Sequence, residues 1–217
     1  MVYIDNAVSK VKQFLLVFLL SCLCSACGSS DDSTKTDKSD FDVPVNQPSD
    51  EPTILGAGTS DDLFDPNIII DVNIDMSASD FAALRAEGRT LSSVAGDCIP
   101  EFEFTEFVAK VTIDGIVIPN VEIRKKGFLG SISRVRPSLK LDFDTFVDDR
   151  TYNEMSRMTL NNDRQDPSHT HQCMAYDMFR QAGLAAPRCN LARVTVNGEA
   201  LGFYSNVENI KKPFLTT

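Results

Sequence analysis

The chain has 217 residues, 42 % of them apolar, and a net charge of −10. That is enough for one folded domain with a real core plus appendages. The acidity is unevenly placed and excludes the basic footprint of a nucleic-acid binder. Lys10 and Lys12 outweigh Asp5 in the first 27 residues. Residues 28–66 hold ten acids against Lys35 and Lys38, so residues 67–217 carry only −3.

Lys10 and Lys12 precede an apolar run from Phe14 to Leu20, continued by Ser21-Cys22-Leu23. A membrane-spanning helix needs about 20 apolar residues, so this run reads as the core of a secretory signal peptide over 1–27. Small residues then lead into Cys27-Gly28-Ser29-Ser30, which resembles a bacterial lipobox with Cys27 as the lipidated residue. Cys24 stands where a lipobox usually has Leu, and Cys22 and Cys24 are alternative acceptors. The expectation is an exported protein, lipid-anchored to the outer or cytoplasmic membrane of a bacterial envelope. Residues 28–66, rich in Asp, Ser, Thr and Pro, read as a disordered acidic tether.

From residue 67 the pattern is that of a folded domain. Ile68 to Ile74 predicts a strand, and Ser77-Ala78-Ser79-Asp80 caps a short helix that stops at Gly88. Asp114-Gly115 and Asn197-Gly198 each separate two β-rich runs, the signature of a type I′ hairpin. Val121-Glu122-Ile123-Arg124 continues as a strand into Lys125-Lys126-Gly127, and a loop with Gly130, Ser131, Ser133, Arg134 and Arg136 follows. In Ser138-Leu139-Lys140-Leu141-Asp142-Phe143 the apolar residues share one face and Lys140 and Asp142 the other. Met158-Thr159-Leu160 is a further strand. Asp166-Pro167-Ser168 predicts the start of the longest helix, to about residue 182, with Met174, Ala175, Met178, Phe179 and Ala182 as one apolar stripe.

Outside the lipobox the cysteines are Cys98, Cys173 and Cys189. In an oxidising compartment this predicts one disulfide and one free thiol. Cys173–Cys189 is the favoured pair, because the chain must return from the helix end to start the next strand. His169, His171 and Cys173 make an incomplete zinc set, since only His169 and Cys173 share a helix face. They read as a solvated helix start, with no metal site.

An ordered set of segments resembles the kinase-like family named after spore coat protein H, CotH. They are Val121 to Gly127, Ser138 to Asp144, Leu160-Asn161-Asn162-Asp163 with Asp166-Pro167-Ser168, and Ala175 to Gly183. Ala186-Pro187-Arg188 and Val196 to Tyr204, ending in Val207-Glu208, complete the set over about 67–217. The resemblance implies an α+β fold: an atrophied protein-kinase-like N-lobe, mainly antiparallel sheet with one major helix. It implies transfer of phosphate from ATP, with Mg²⁺, to Ser or Thr of a secreted or cell-envelope protein. On that alignment 121–126, 138–143 and 157–161 are the first three strands, and residues 127–138 cover the phosphates. The helix from 167 to 182 follows, and Glu208 lies toward a second lobe.

Lys140, Arg124, Lys126, Gly127 and Glu208 are the expected ATP-binding residues. Lys140 would act as a point charge on phosphate. The two basic residues spaced by one would grip phosphate from the same strand face. The catalytic acids, which bind Mg²⁺ and position the acceptor hydroxyl, belong to a C-lobe expected beyond Thr217, so this stretch is read as an incomplete kinase domain. The alternative is a non-catalytic, surface-anchored adhesion or binding module using the same fold.

Overall fold

The computed structural model describes residues 53–89, 102–128 and 130–210. The expected signal peptide over 1–27 with Cys27, most of the expected tether and Cys98 lie outside the described residues. The elements in chain order are β1 (Ile54–Leu55), α1 (Ser60–Leu63), β2 (Ile69–Asp75), α2 (Ala78–Ala86), β3 (Glu106–Ile113) and β4 (Ile116–Lys126). Then come β5 (Ser138–Asp142), β6 (Thr151–Tyr152), β7 (Arg157–Asn161), α3 (His171–Gln181), β8 (Cys189–Val196) and β9 (Glu199–Val207).

Seven strands close a barrel in the order β2-β3-β4-β5-β7-β9-β8. Every neighbouring pair is antiparallel except the one that shuts the ring, β2 with β8, which runs parallel from Ile69↔Leu191 to Ile74↔Val196. An odd number of alternating strands cannot close without one parallel pair. The fold is therefore mostly β, a closed barrel rather than the open α+β lobe expected from the sequence. The two additional strands, β2 and β3, bridge β4 to β8 and remove both sheet edges, which would otherwise be left unpaired.

Alternation along each strand fills the interior. Val72 and Ile74, Val111 and Ile113, Val121 and Ile123, Leu139 and Leu141, Met158 and Leu160, and Ala192 and Val194 are all fully buried. Both predicted hairpins form with left-handed central residues: Asp114 at φ 46° with Gly115 at 85°, and Asn197 at 49° with Gly198 at 80°.

Two segments cover the barrel ends. Inside one end, Asn206 donates to Asn190 Oδ1 at 2.9 Å and to the Leu63 carbonyl at 3.2 Å. Asn190 in turn donates to the carbonyls of Asp65 and Ile68. The chain from α1 to β2 is thus stitched across that end with Leu63 and Phe64 buried. The expected tether boundary at 66 is corrected here, since residues from Thr53 onward carry structure and Leu63 and Phe64 belong to the core. At the other end lies α2. Ser77 caps it by accepting from the Asp80 N–H at 3.0 Å, and Phe81 and Leu84 are buried beneath it. Lys125, 1 % exposed, points inward on β4 and donates from Nζ to the carbonyls of Arg85 and Glu87 at the helix C-terminus. A cation suits the orphan carbonyls and negative dipole end found there.

The longest helix begins at His171, four residues later than the sequence predicts. His169 has φ 58°, which no right-handed helix tolerates, so the first turn cannot form across it. Asp166 nevertheless supports the helix, accepting the His171 N–H at 2.8 Å. None of the eleven residues of α3 is buried. Its apolar stripe faces outward, with Met174, Met178 and Phe179 49–66 % exposed.

Candidate functional site

The outward face of β4, β5 and β7 carries three rows of polar side chains. In the middle row Arg124 stands opposite Lys140, and Lys140 opposite Thr159. One row toward the α2 end, Lys126 stands opposite Ser138. One row the other way, Glu122, Asp142 and Arg157 lie side by side. The sequence places Arg124 and Lys126 on one face and Lys140 away from the apolar residues, and strand pairing brings all three together.

Lys140 makes no hydrogen bond or ion pair with any described residue. Burial holds its ammonium below the ordinary lysine value, Arg124 and Arg157 push it further down, and Asp142 and Glu122 offset part of that. Lys126 is pushed down to about 8, first by burial and then by the neighbouring charge of Lys140. Its Nζ donates to Asn161 Oδ1 at 2.6 Å. The Asn161 amide donates to Gln172 Oε1 of α3 at 2.8 Å, and Gln172 Nε2 donates to the Tyr176 hydroxyl at 3.1 Å. Arg124 lies 3.8 Å from carboxylate oxygens of both Glu106 and Glu122. Three cations thus crowd a half-buried face, with Glu106 flanking Arg124 and the other acids at one end, an arrangement that favours an anion bound beside Lys140 and Lys126.

The loop after β4 leaves this face at the α2 end of the barrel, where Arg85 donates to the Val135 carbonyl. Gly127 has φ 130°, and a Cβ there would meet Ser131 Oγ at 2.7 Å, so only glycine fits. The Phe128 N–H is held by Ser131 Oγ at 2.9 Å. Asn162 donates to the carbonyls of Ser131 and Arg136, and Arg164 to that of Ile132, fastening the loop to the residues after β7.

The acidic end was not read in the sequence as a unit. Arg157 pairs with Asp142, and Thr145 donates to Glu122 at 2.6 Å. Asp144 shares a hydrogen bond with the Asp142 carboxyl, which pushes Asp144 up to about 6, helped by burial and by the charge of Asp142. The signal was the Asp-x-Asp spacing itself, which puts both carboxyls on one side of the chain. Asn161, Gln172 and Tyr176 were likewise missed as site residues, because amides and a phenol in different segments carry no spacing signal.

Glu208 is not gathered with the cations. It is buried, and its carboxylate takes Arg188 through Nε at 3.1 Å and Nη2 at 2.6 Å, while Asp61 lies 2.5 Å from Arg188 Nη1. Burying Glu208 beside its partner makes it a fastening between β9 and the start of β8. Cys173 and Cys189 are joined by a disulfide with Cα atoms 5.1 Å apart. His169 and His171 lie beside Asp163 and Asp166 respectively. Among the described residues no three His, Cys, Asp or Glu side chains converge on a point that would hold a metal ion.

These features define a β-barrel with a cationic outer face. Residues 123–217 match the model of the CotH family, described as CotH kinase protein. The matched stretch runs from Ile123 on β4 through α3 and the last hairpin, and it contains Arg124, Lys126, Gly127, Lys140 and Glu208. No curated protein matches the chain.

Proposed function

We propose that the outer face of β4, β5 and β7 binds the phosphates of ATP, as one lobe of a CotH-type protein kinase acting on Ser or Thr of a secreted or cell-envelope protein. The observation that carries this reading is Lys140, a half-buried lysine that makes no hydrogen bond or ion pair among the described residues and stands beside two further cations. In this role ATP supplies the phosphoryl group, and the chain's own residues bind and orient it. Lys140 and Lys126 neutralise phosphate oxygens as point charges, Arg124 offers a planar fork, and the Gly127 loop lies at the α2 end. The order β4-β5-β7, then α3, then the hairpin β8-β9 supports likeness to a kinase N-lobe, with β2 and β3 as an added closure. The match to the CotH kinase model supports the reaction class.

The same reading has the protein exported and held on a bacterial membrane through Cys27. The Cys173–Cys189 disulfide supports an oxidising compartment.

Binding of a fluorescent ATP analogue to the full chain, with and without Mg²⁺, tests the proposal. A hydrogen bond to a charged group contributes about 1.5–3 kcal/mol, so Lys140→Ala is expected to weaken binding about 10- to 100-fold. Affinity is also expected to fall as pH rises past about 8, because Lys126 loses its proton there and a neutral amine no longer attracts phosphate. Equal binding by wild type and Lys140→Ala would sink the assignment.

A further inference from the structure

Among the described residues, helix α3 is hydrogen-bonded to the cationic face through Gln172, in a way that fixes a direction. A lysine ammonium only donates, so the Asn161 amide must turn Oδ1 toward Lys126 and present Nδ2 on its other side. That Nδ2 needs an acceptor, and Gln172 Oε1 is there at 2.8 Å. Gln172 then has Nε2 left to donate, and the Tyr176 hydroxyl accepts it. Gln172 and Tyr176 stand four residues apart, on the same side of the helix. All three links thus run one way, from Lys126 to Asn161 to Gln172 to Tyr176. Reversing any amide would set donor against donor.

The support under Gln172 is unusual for a helix of this length. No residue of α3 is buried, so apolar packing does not seat it. The next residue, Cys173, is bonded covalently to Cys189 on β8. Farther along, Arg180 donates to the Pro187 carbonyl at 2.6 Å. The disulfide is therefore the strongest link between α3 and the barrel, and it stands one residue from the amide that orients Asn161.

We infer that Gln172 is a positioning residue for the phosphate face, holding Lys126 through Asn161, and that the Cys173–Cys189 disulfide keeps it in place. The inference rests on the phosphate-binding reading for its purpose, but its physical content does not. With one N–H spent on Asn161, Lys126 keeps two donors for a bound oxygen, in a fixed direction. Without Gln172, the Asn161 amide loses the partner that sets its orientation. The Lys126 ammonium then loses the fixed acceptor that favours its charged form, while burial still disfavours that form.

The test measures the pH profile of Lys126 acylation in the full chain, read by peptide mass spectrometry in the absence of nucleotide. The charged neighbour acting on Lys126 is Lys140 of β5, and the side chains reaching it from β7 and α3 are neutral amides. In oxidised wild type the midpoint is expected near 8. In Gln172→Met, and in wild type after reduction of the disulfide, it is expected to fall further below 8, because the Asn161 amide is free to turn its acceptor away from the ammonium while burial still disfavours the charge. Met178→Ala, on the exposed stripe of the same helix, is expected to leave it unmoved. An unmoved midpoint in Gln172→Met, with helix content intact by circular dichroism, would overturn the inference. So would a midpoint that ignores reduction of the disulfide. ATP protection of Lys126 is measured alongside: a midpoint that moves in Gln172→Met without any ATP protection in wild type supports the positioning role and removes the nucleotide reading alone.

Discussion

Helices α2 and α3 are close in length, nine residues against eleven, and are fastened to the same barrel by opposite means. The shorter one buries Phe81 and Leu84 over the barrel end and receives Lys125 on its last carbonyls. The longer one buries nothing and is held by a disulfide, an arginine–carbonyl bond and a glutamine. Yet the longer helix carries the clearer apolar stripe in sequence. Periodicity says which residues share a face; it does not say whether that face turns inward. For α3 the covalent bond decides the matter, because Cys173 must meet Cys189 and the stripe is then carried to the outside.

The contrast can be broken or sharpened by substitution. Leu84→Ala should have the largest effect, since it removes a fully buried side chain at the sealed end. Its cost is expected at about 2–5 kcal/mol in denaturant titration, partly as residual cavity. A loss under 1 kcal/mol would mean that α2 is not seated by packing. The double variant Cys173→Ser/Cys189→Ser comes next. The bond closes a loop of sequence separation 16, for which about 3 kcal/mol is expected at constant slope of the unfolding curve. Met178→Ala should do least. An exposed position away from special features changes stability by no more than about 0.5 kcal/mol, so a melt superimposable on wild type is the expected result. A large loss there would reveal a covered face.

Much of the site was legible in the sequence. Alternation in Ser138 to Phe143 turned Lys140 outward, and spacing by two put Arg124 and Lys126 together. The same alternation placed Lys125 beside Val121 and Ile123, but a lysine at an interior position reads as a polar interruption until a set of helix-end carbonyls is seen above it. The hairpins were legible because Asp-Gly and Asn-Gly satisfy a local backbone demand. Closure of the ring was not, because nothing local links Ile69–Ile74 to Leu191–Val196. The start of α3 was misplaced by four residues for a related reason. Asp166 does serve the helix, but from across a left-handed His169 that the Asp-Pro-Ser signal does not reveal. Leu63 and Phe64 were lost in an acidic stretch whose average composition hides two core residues.

The parallel pair that shuts the barrel has a consequence for biogenesis. Strand β2 is made early and waits for a partner lying more than a hundred residues downstream. Until Val196 has emerged, whether from the ribosome or on the far side of a membrane, the backbone groups along one side of β2 have nothing to bond. Maturation therefore depends on delivery of the last hairpin, and any pause before it exposes a sticky strand to neighbouring chains.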